Sequence, residues 1–92
     1  MEKYMVVLAY SRPKYDEFEY EYKYSNSIEE LQNKVRDFID EYIIMASEWE
    51  GGQVYDVEAK KIIGIIAFNG RYFNEEEAKK MGMDNLLNKC FK

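Results

Sequence analysis

The sequence contains no histidine. That absence removes Ser/His and Cys/His nucleophile pairs, histidine general bases and nearly every zinc site. Cysteine occurs once, as Cys90, so no internal disulfide can form and a reducing, cytoplasmic setting is expected. Cys90 itself reads as a small core residue, because free cysteine is among the most buried residue types. No apolar run approaches the roughly 20 residues of a membrane helix, and Ile62 to Phe68 is far too short. The N-terminus lacks the basic start, apolar run and cleavage site of a signal peptide. Phosphate cradles are missing too: Gly51-Gly52 is not followed by a lysine-threonine pair, and there is no GxGxxG. Nor is there a calcium-loop pattern. Carboxylates are the remaining catalytic option. Asp37, Asp40 and Glu41 share a helical face, and Asp56 and Glu58 share a strand face. Both sets read as solvated surface. The expectation is a protein without metal or cofactor, and not an enzyme.

What the chain does have is negative charge, unevenly placed. Eighteen acids oppose 13 bases; residues 1–50 hold 12 acids and 6 bases, residues 51–92 hold 6 acids and 7 bases. Affinity for a phosphate backbone comes from lysine and arginine displacing counterions, so direct nucleic-acid binding is disfavoured. A basic partner suits the front half better. With 92 residues, 47% of them apolar, the chain makes one domain, 1–92, with a modest core.

One stretch declares its structure without help. Between Ser27 and Trp49, Ile28, Leu31, Val35, Phe38, Tyr42, Met45 and Trp49 recur at spacings of three and four, the pattern of an amphipathic helix. Ser27 with Glu30 reads as a capping box and Gly51-Gly52 as the stop, predicting a helix over 27–50. Before it, Lys3 to Tyr10 is apolar at both parities and reads as a central strand. Pro13 marks the turn into a strand of strict alternation. There Phe18, Tyr20, Tyr22 and Tyr24 face one way, and Glu17, Glu19, Glu21 and Lys23 the other. After the helix, Gln53 to Ala59 and Lys61 to Asn69 predict a second hairpin turning near Ala59-Lys60. Gly64 marks a bulge or a close neighbour. Asn74 should cap a short helix that Gly82 stops, with Asp84 capping a last turn through Cys90.

The fold class is therefore α+β. The expected architecture is a four-stranded, mostly antiparallel sheet (ββαββ, order 2-1-4-3). The long helix packs on one face, and a short broken C-terminal helix follows. The aromatic row is expected beneath the long helix. Ala78, Met81, Met83, Leu86, Leu87, Cys90 and Phe91 are the residues on hand for the second face; otherwise a partner, such as a second copy, covers it.

Two stretches stand out as contact surfaces. Glu17, Glu19 and Glu21, with Asp16 before them, project at intervals of about 6.6 Å, a spacing of negative charge that a basic groove built for nucleic acid could accept. The plainer account is a charged edge that blocks aggregation. Arg71 and Tyr72, flanked by Phe68 and Phe73, have the composition of an interface hot spot, set against an ordinary Asn69-Gly70 turn. In its small size, acidity, many tyrosines and missing catalytic groups, the chain resembles the small inhibitors that phages and mobile elements deploy against host nucleic-acid enzymes. The resemblance implies a non-enzymatic, anti-defence binding protein that masks a partner's basic nucleic-acid site. Two alternatives stand beside it: a structural or assembly subunit that homodimerises through the second sheet face, and a protein sequestering a small ligand among its tyrosines.

Overall fold

The computed structural model describes residues 2–82. Five strands form one antiparallel sheet in the order β2-β1-β3-β4-β5. Strands β1 (Tyr4–Arg12) and β2 (Glu17–Ser25) make the first hairpin, followed by helix α1 (Ile28–Tyr42). Strands β3 (Gln53–Asp56), β4 (Lys61–Ile66) and β5 (Tyr72–Asn74) complete the sheet, and helix α2 (Glu75–Lys80) follows. The α+β class and the order of the first elements are as the sequence predicts. The fifth strand and the order are corrections. β3, not β4, lies beside β1, and Phe73 after the Asn69-Gly70 turn pairs back onto Ile65.

The two strands apolar at both parities, β1 and β4, are interior, with the more polar β3 between them. Val6, Val7, Leu8, Ala9 and Tyr10 are all buried, as are Ile65 and Ile66. Helix α1 lays Leu31, Val35, Phe38 and Ile39 over Val6, Leu8, Tyr10, Val54 and Ile66 to form the main core. A second cluster of Ile65, Phe73 and Ala78 occupies the other face, where α2 packs. Between β3 and β4 the register slips beside Ile63, giving the bulge expected at Gly64. Gly64 is required there, because a Cβ would collide with the Phe73 carbonyl oxygen and the Tyr72 ring.

Helix α1 starts where expected and stops early. The Glu30 N–H donates to Ser27 Oγ at 3.3 Å, but Ser27 N–H donates to Ser25 Oγ, so only half of the capping box forms. The predicted end at Gly51-Gly52 is wrong by some eight residues. At Ile43 the backbone turns left-handed (φ 52°). The Ile43 and Ile44 N–H groups then donate back to Asp40 and Ile39 carbonyls at 3.4 and 2.9 Å, and Ile44 is buried. This is the Schellman arrangement, in which glycine usually holds the left-handed position. Placing a β-branched residue there costs about 1–2 kcal/mol, which is why no sequence rule foresees it.

Gly51 and Gly52 serve a different purpose. The chain from 48 to 52 runs beside β1: Ser11 N–H donates to the Glu48 carbonyl (2.9 Å), Glu50 N–H to Ala9 (3.0 Å) and Gly52 N–H to Val7 (2.7 Å). A side chain at 51 would meet the β1 backbone, and one at 52 would meet the Ile66 carbonyl. Trp49 bridges to Tyr10 and packs on the main core, not on a helix end.

Within the described residues the C-terminal caps form as expected, but Met81 does not cover the second sheet face. Asn74 caps α2 in a reciprocal box with Glu77, and Gly82 adopts φ 76° just past its end. Ala78 is buried, whereas Met81 is exposed. The roles assigned to Met83, Asp84, Leu86, Leu87, Cys90 and Phe91 lie outside the described residues.

Candidate functional site

The register of the first hairpin decides what each face of β2 does. Arg12 opposes Glu17, Tyr10 opposes Glu19, Leu8 opposes Glu21 and Val6 opposes Lys23. Directly opposed residues share a face. Since Leu8 and Tyr10 lie under α1, the acidic row is on the helix side and the aromatic row is on the other. This reverses the expectation that Phe18, Tyr20, Tyr22 and Tyr24 form core beneath the helix. Those rings run along the opposite face as a ladder, with Phe18–Tyr20 and Tyr20–Tyr22 centroids 5.8 and 5.9 Å apart. Phe18 is 51% and Tyr24 46% exposed.

On the helix side, α1 packs its apolar face on β1, β3 and β4, and its outer side runs beside β2, which forms the open rim. The gap between them is a groove of about 240 Å³ lined by Leu8, Glu21, Lys23, Lys34, Asp37, Phe38 and Glu41. Three carboxylates and two ammonium groups thus surround a thin apolar floor. Small-ligand sites are mostly apolar and enclosing; this one is open and polar. Of the groups that the sequence left as ordinary helix surface, Asp37 and Glu41 face Glu21 here, while Asp40 pairs with Arg36 at 3.7 Å. Among the described residues, no group of three or more His, Cys, Asp or Glu is placed to share a metal ion.

One end of this rim is locked by Arg12, the last residue of β1 before the Pro13 turn. Its guanidinium contacts Glu17 at 3.1 Å and Glu48 at 3.2 Å, and donates to the Tyr42 and Ile43 carbonyls at 2.6 and 3.2 Å. It also stacks over Tyr10, 4.7 Å from the ring centroid. Glu48 accepts a hydrogen bond from Met45 N–H at 2.9 Å. That bond and Arg12 hold its carboxyl below the usual range. The negative field shows in two phenols. Tyr10 is pushed up by burial and then by Glu17 and Glu19, and Tyr42 is pushed up by Glu41, by partial burial, and by Glu21 and Glu19.

The residues singled out from the sequence do not form one surface. Glu19 and Glu21 are exposed on β2, Glu17 is partly covered by its Arg12 contact, and Asp16 closes the hairpin turn with φ 54°. Arg71 and Tyr72 lie at the far edge of the sheet and point to opposite faces. Arg71 stacks on Phe73, 5.4 Å from its centroid. The Tyr72 hydroxyl donates to the Ile63 carbonyl at 3.3 Å and the ring packs on the main core. Asn69 Oδ1 accepts from Arg71 N–H at 2.9 Å, closing the turn. That turn is also held to α1, where Arg36 donates to the Phe68 carbonyl (2.8 Å) and Gln32 to the Gly70 carbonyl (2.9 Å). Asp56 has a similar local task, its Oδ1 accepting from Ala59 N–H.

No helix among the described residues is long and apolar enough to cross a membrane. Comparisons with protein-family models, with curated proteins and with solved structures find no match for this chain.

Proposed function

We propose that the protein is a non-enzymatic inhibitor that occupies the basic nucleic-acid groove of a partner enzyme, in the manner of phage or mobile-element anti-defence proteins. One observation carries this reading: on the edge strand β2 Glu19 and Glu21 are exposed, and Glu21 faces Asp37 and Glu41 across a shallow groove. Along this ridge carboxylates outnumber the two lysines, Lys34 and the Lys23 that pairs with Glu21 at 3.9 Å, and strand and helix fix their positions. Negative groups held in place this way meet a lysine- and arginine-lined groove without first being ordered, so electrostatic steering speeds encounter and rejects acidic surfaces. Direct binding of nucleic acid runs against the same charge.

The test uses the intact protein as bait at about 50 mM and about 500 mM salt, where the Debye length falls from roughly 14 to 4 Å. A nucleic-acid enzyme should be recovered at low salt, released at high salt, and displaced by its own DNA or RNA. The double variant Glu19→Lys with Glu21→Lys should lose it. Glu17 is left intact because it holds Arg12. Recovery that is indifferent to salt and to charge reversal would sink the reading.

A second reading, an assembly subunit that homodimerises through the other sheet face, draws on the half-exposed Phe18 and Tyr24. Sedimentation velocity decides it: a concentration-dependent dimer lost in Phe18→Ser supports it, and a monomer throughout removes it.

A further inference from the structure

Ile43 joins two properties that the helix end does not by itself require. Its backbone is left-handed, at φ 52°, where β-branched residues are rare and glycine or asparagine is usual. Its side chain is also 81% exposed, so its own packing against the described residues does little to offset the strain. Among the described residues, the other non-glycine positions with positive φ, Asp16 and Lys60, are polar residues in hairpin turns, which is ordinary turn chemistry. Glycine at 43 would end α1 at least as well. Strain held without an internal return is a mark of function.

The surroundings supply the partner's chemistry. Met45 is 64% exposed, and Tyr42, its ring packed on Phe38 and Tyr10, still shows an outer edge, so Ile43 and Met45 stand out from a corner that Tyr42 props from behind. That corner is continuous with the acidic ridge. Arg12 ties the Tyr42 and Ile43 carbonyls to Glu17 and Glu48, and Glu41, Glu21 and Glu19 all act on the Tyr42 phenol. A second copy makes a poor occupant, because the isologous contact would set these acids against themselves. A protein pocket with an apolar floor and a lysine- or arginine-lined rim complements both parts.

We propose that Ile43 and Met45, propped by Tyr42, form an apolar knob that enters a socket at the rim of the partner's basic groove, anchoring the acidic ridge in register. This rests on the functional reading above and adds the anchor to it. Buried apolar anchors set dissociation, whereas rim charges mainly set encounter.

The decisive property is that removing the knob should stabilise the protein while weakening its binding. Ile43→Gly should raise Tm by about 4–8 °C and weaken partner binding roughly tenfold or more, with the loss in the dissociation rate. Ile43→Asn, which tolerates the left-handed backbone, should weaken binding similarly. To locate the contact, a benzophenone side chain is placed at 43, at 45, or at the distant exposed Glu58, and irradiated in extract of the native cells. Adducts are then identified by mass spectrometry. The expected result is adducts from 43 and 45 to a nucleic-acid-binding protein, mapped beside its basic groove and suppressed by added DNA or RNA. Binding by Ile43→Gly within twofold of the parent overturns the knob. So do adducts at 43 and 45 no stronger than at 58, and adducts to another copy of the chain. If the Glu19→Lys, Glu21→Lys protein loses binding while Ile43→Gly keeps it, the acidic reading survives and the anchor does not. If Ile43→Gly loses binding while the charge reversal keeps it, the basic-rimmed partner is overturned along with the acidic reading.

Discussion

The two edges of the sheet are built on opposite plans. At the β5 edge, the turn through Asn69-Gly70 is tied down by Arg36 and Gln32 of α1. Beyond it, Asn74 caps α2, and Ala78 seals a cluster with Ile65 and Phe73. At the β2 edge, the strand runs beside α1, with Glu19 and Glu21 exposed on one face and Phe18 and Tyr24 half exposed on the other. One edge spends its side chains on closure; the other leaves them open to solvent. Stability and, on the proposed reading, recognition should therefore respond to different substitutions.

Paired substitutions on a single face probe that division. Ile65→Ala, 1% exposed in β4, should destabilise by about 2–5 kcal/mol through lost burial and a cavity. Phe18→Ala, at the other end of the same face, should cost about 1 kcal/mol, mainly its ring contact. Urea denaturation measures both, and equal losses would erase the contrast. Gly64→Ala should cost about 1–3 kcal/mol, because β4 and β5 close so tightly that a methyl group meets the Phe73 carbonyl and the Tyr72 ring. Ile43→Gly reverses the sign, with a gain of about 1 kcal/mol from relieved strain. The smallest effect is a pH dependence. Glu48 has a folded pKa below its ordinary value, so its contribution is present above that ordinary value and fades as pH falls through the folded one. Thermal melts of Glu48→Gln should sit below the parent near neutrality, and the two should converge on acidification.

The comparison also explains what could be read in advance. Strands apolar at both parities had to be interior, and β1 and β4 are. Ser27 and Asn74 announced their caps because an oxygen ahead of an unpaired N–H row has few other uses. The face of β2 was misjudged because hydrophobicity alone put its aromatic side inward. Loop arithmetic held the missing signal. Four residues, 13–16, separate Arg12 from Glu17, so even positions in β1 oppose odd positions in β2. A helix on Tyr4, Val6, Leu8 and Tyr10 therefore takes the glutamates on its side. The strand order and the Arg12 hub depend on contacts across 30 or more residues, and local pattern carries no trace of them. Of the acidic candidates, Glu19 and Glu21 were legible from alternation. Their neighbours Asp37 and Glu41 became visible only once α1 was set beside β2.

The glycine strap at 48–52 sets the mobility of this corner. Three main-chain bonds fasten it to β1, so the return from helix to sheet is itself woven into the sheet. The amides of Ser11, Glu50 and Gly52 should be among the slowly exchanging protons in deuterated water. If the proposed complex forms, calorimetry should find only a small entropic penalty from chain ordering, because this strap is already fixed.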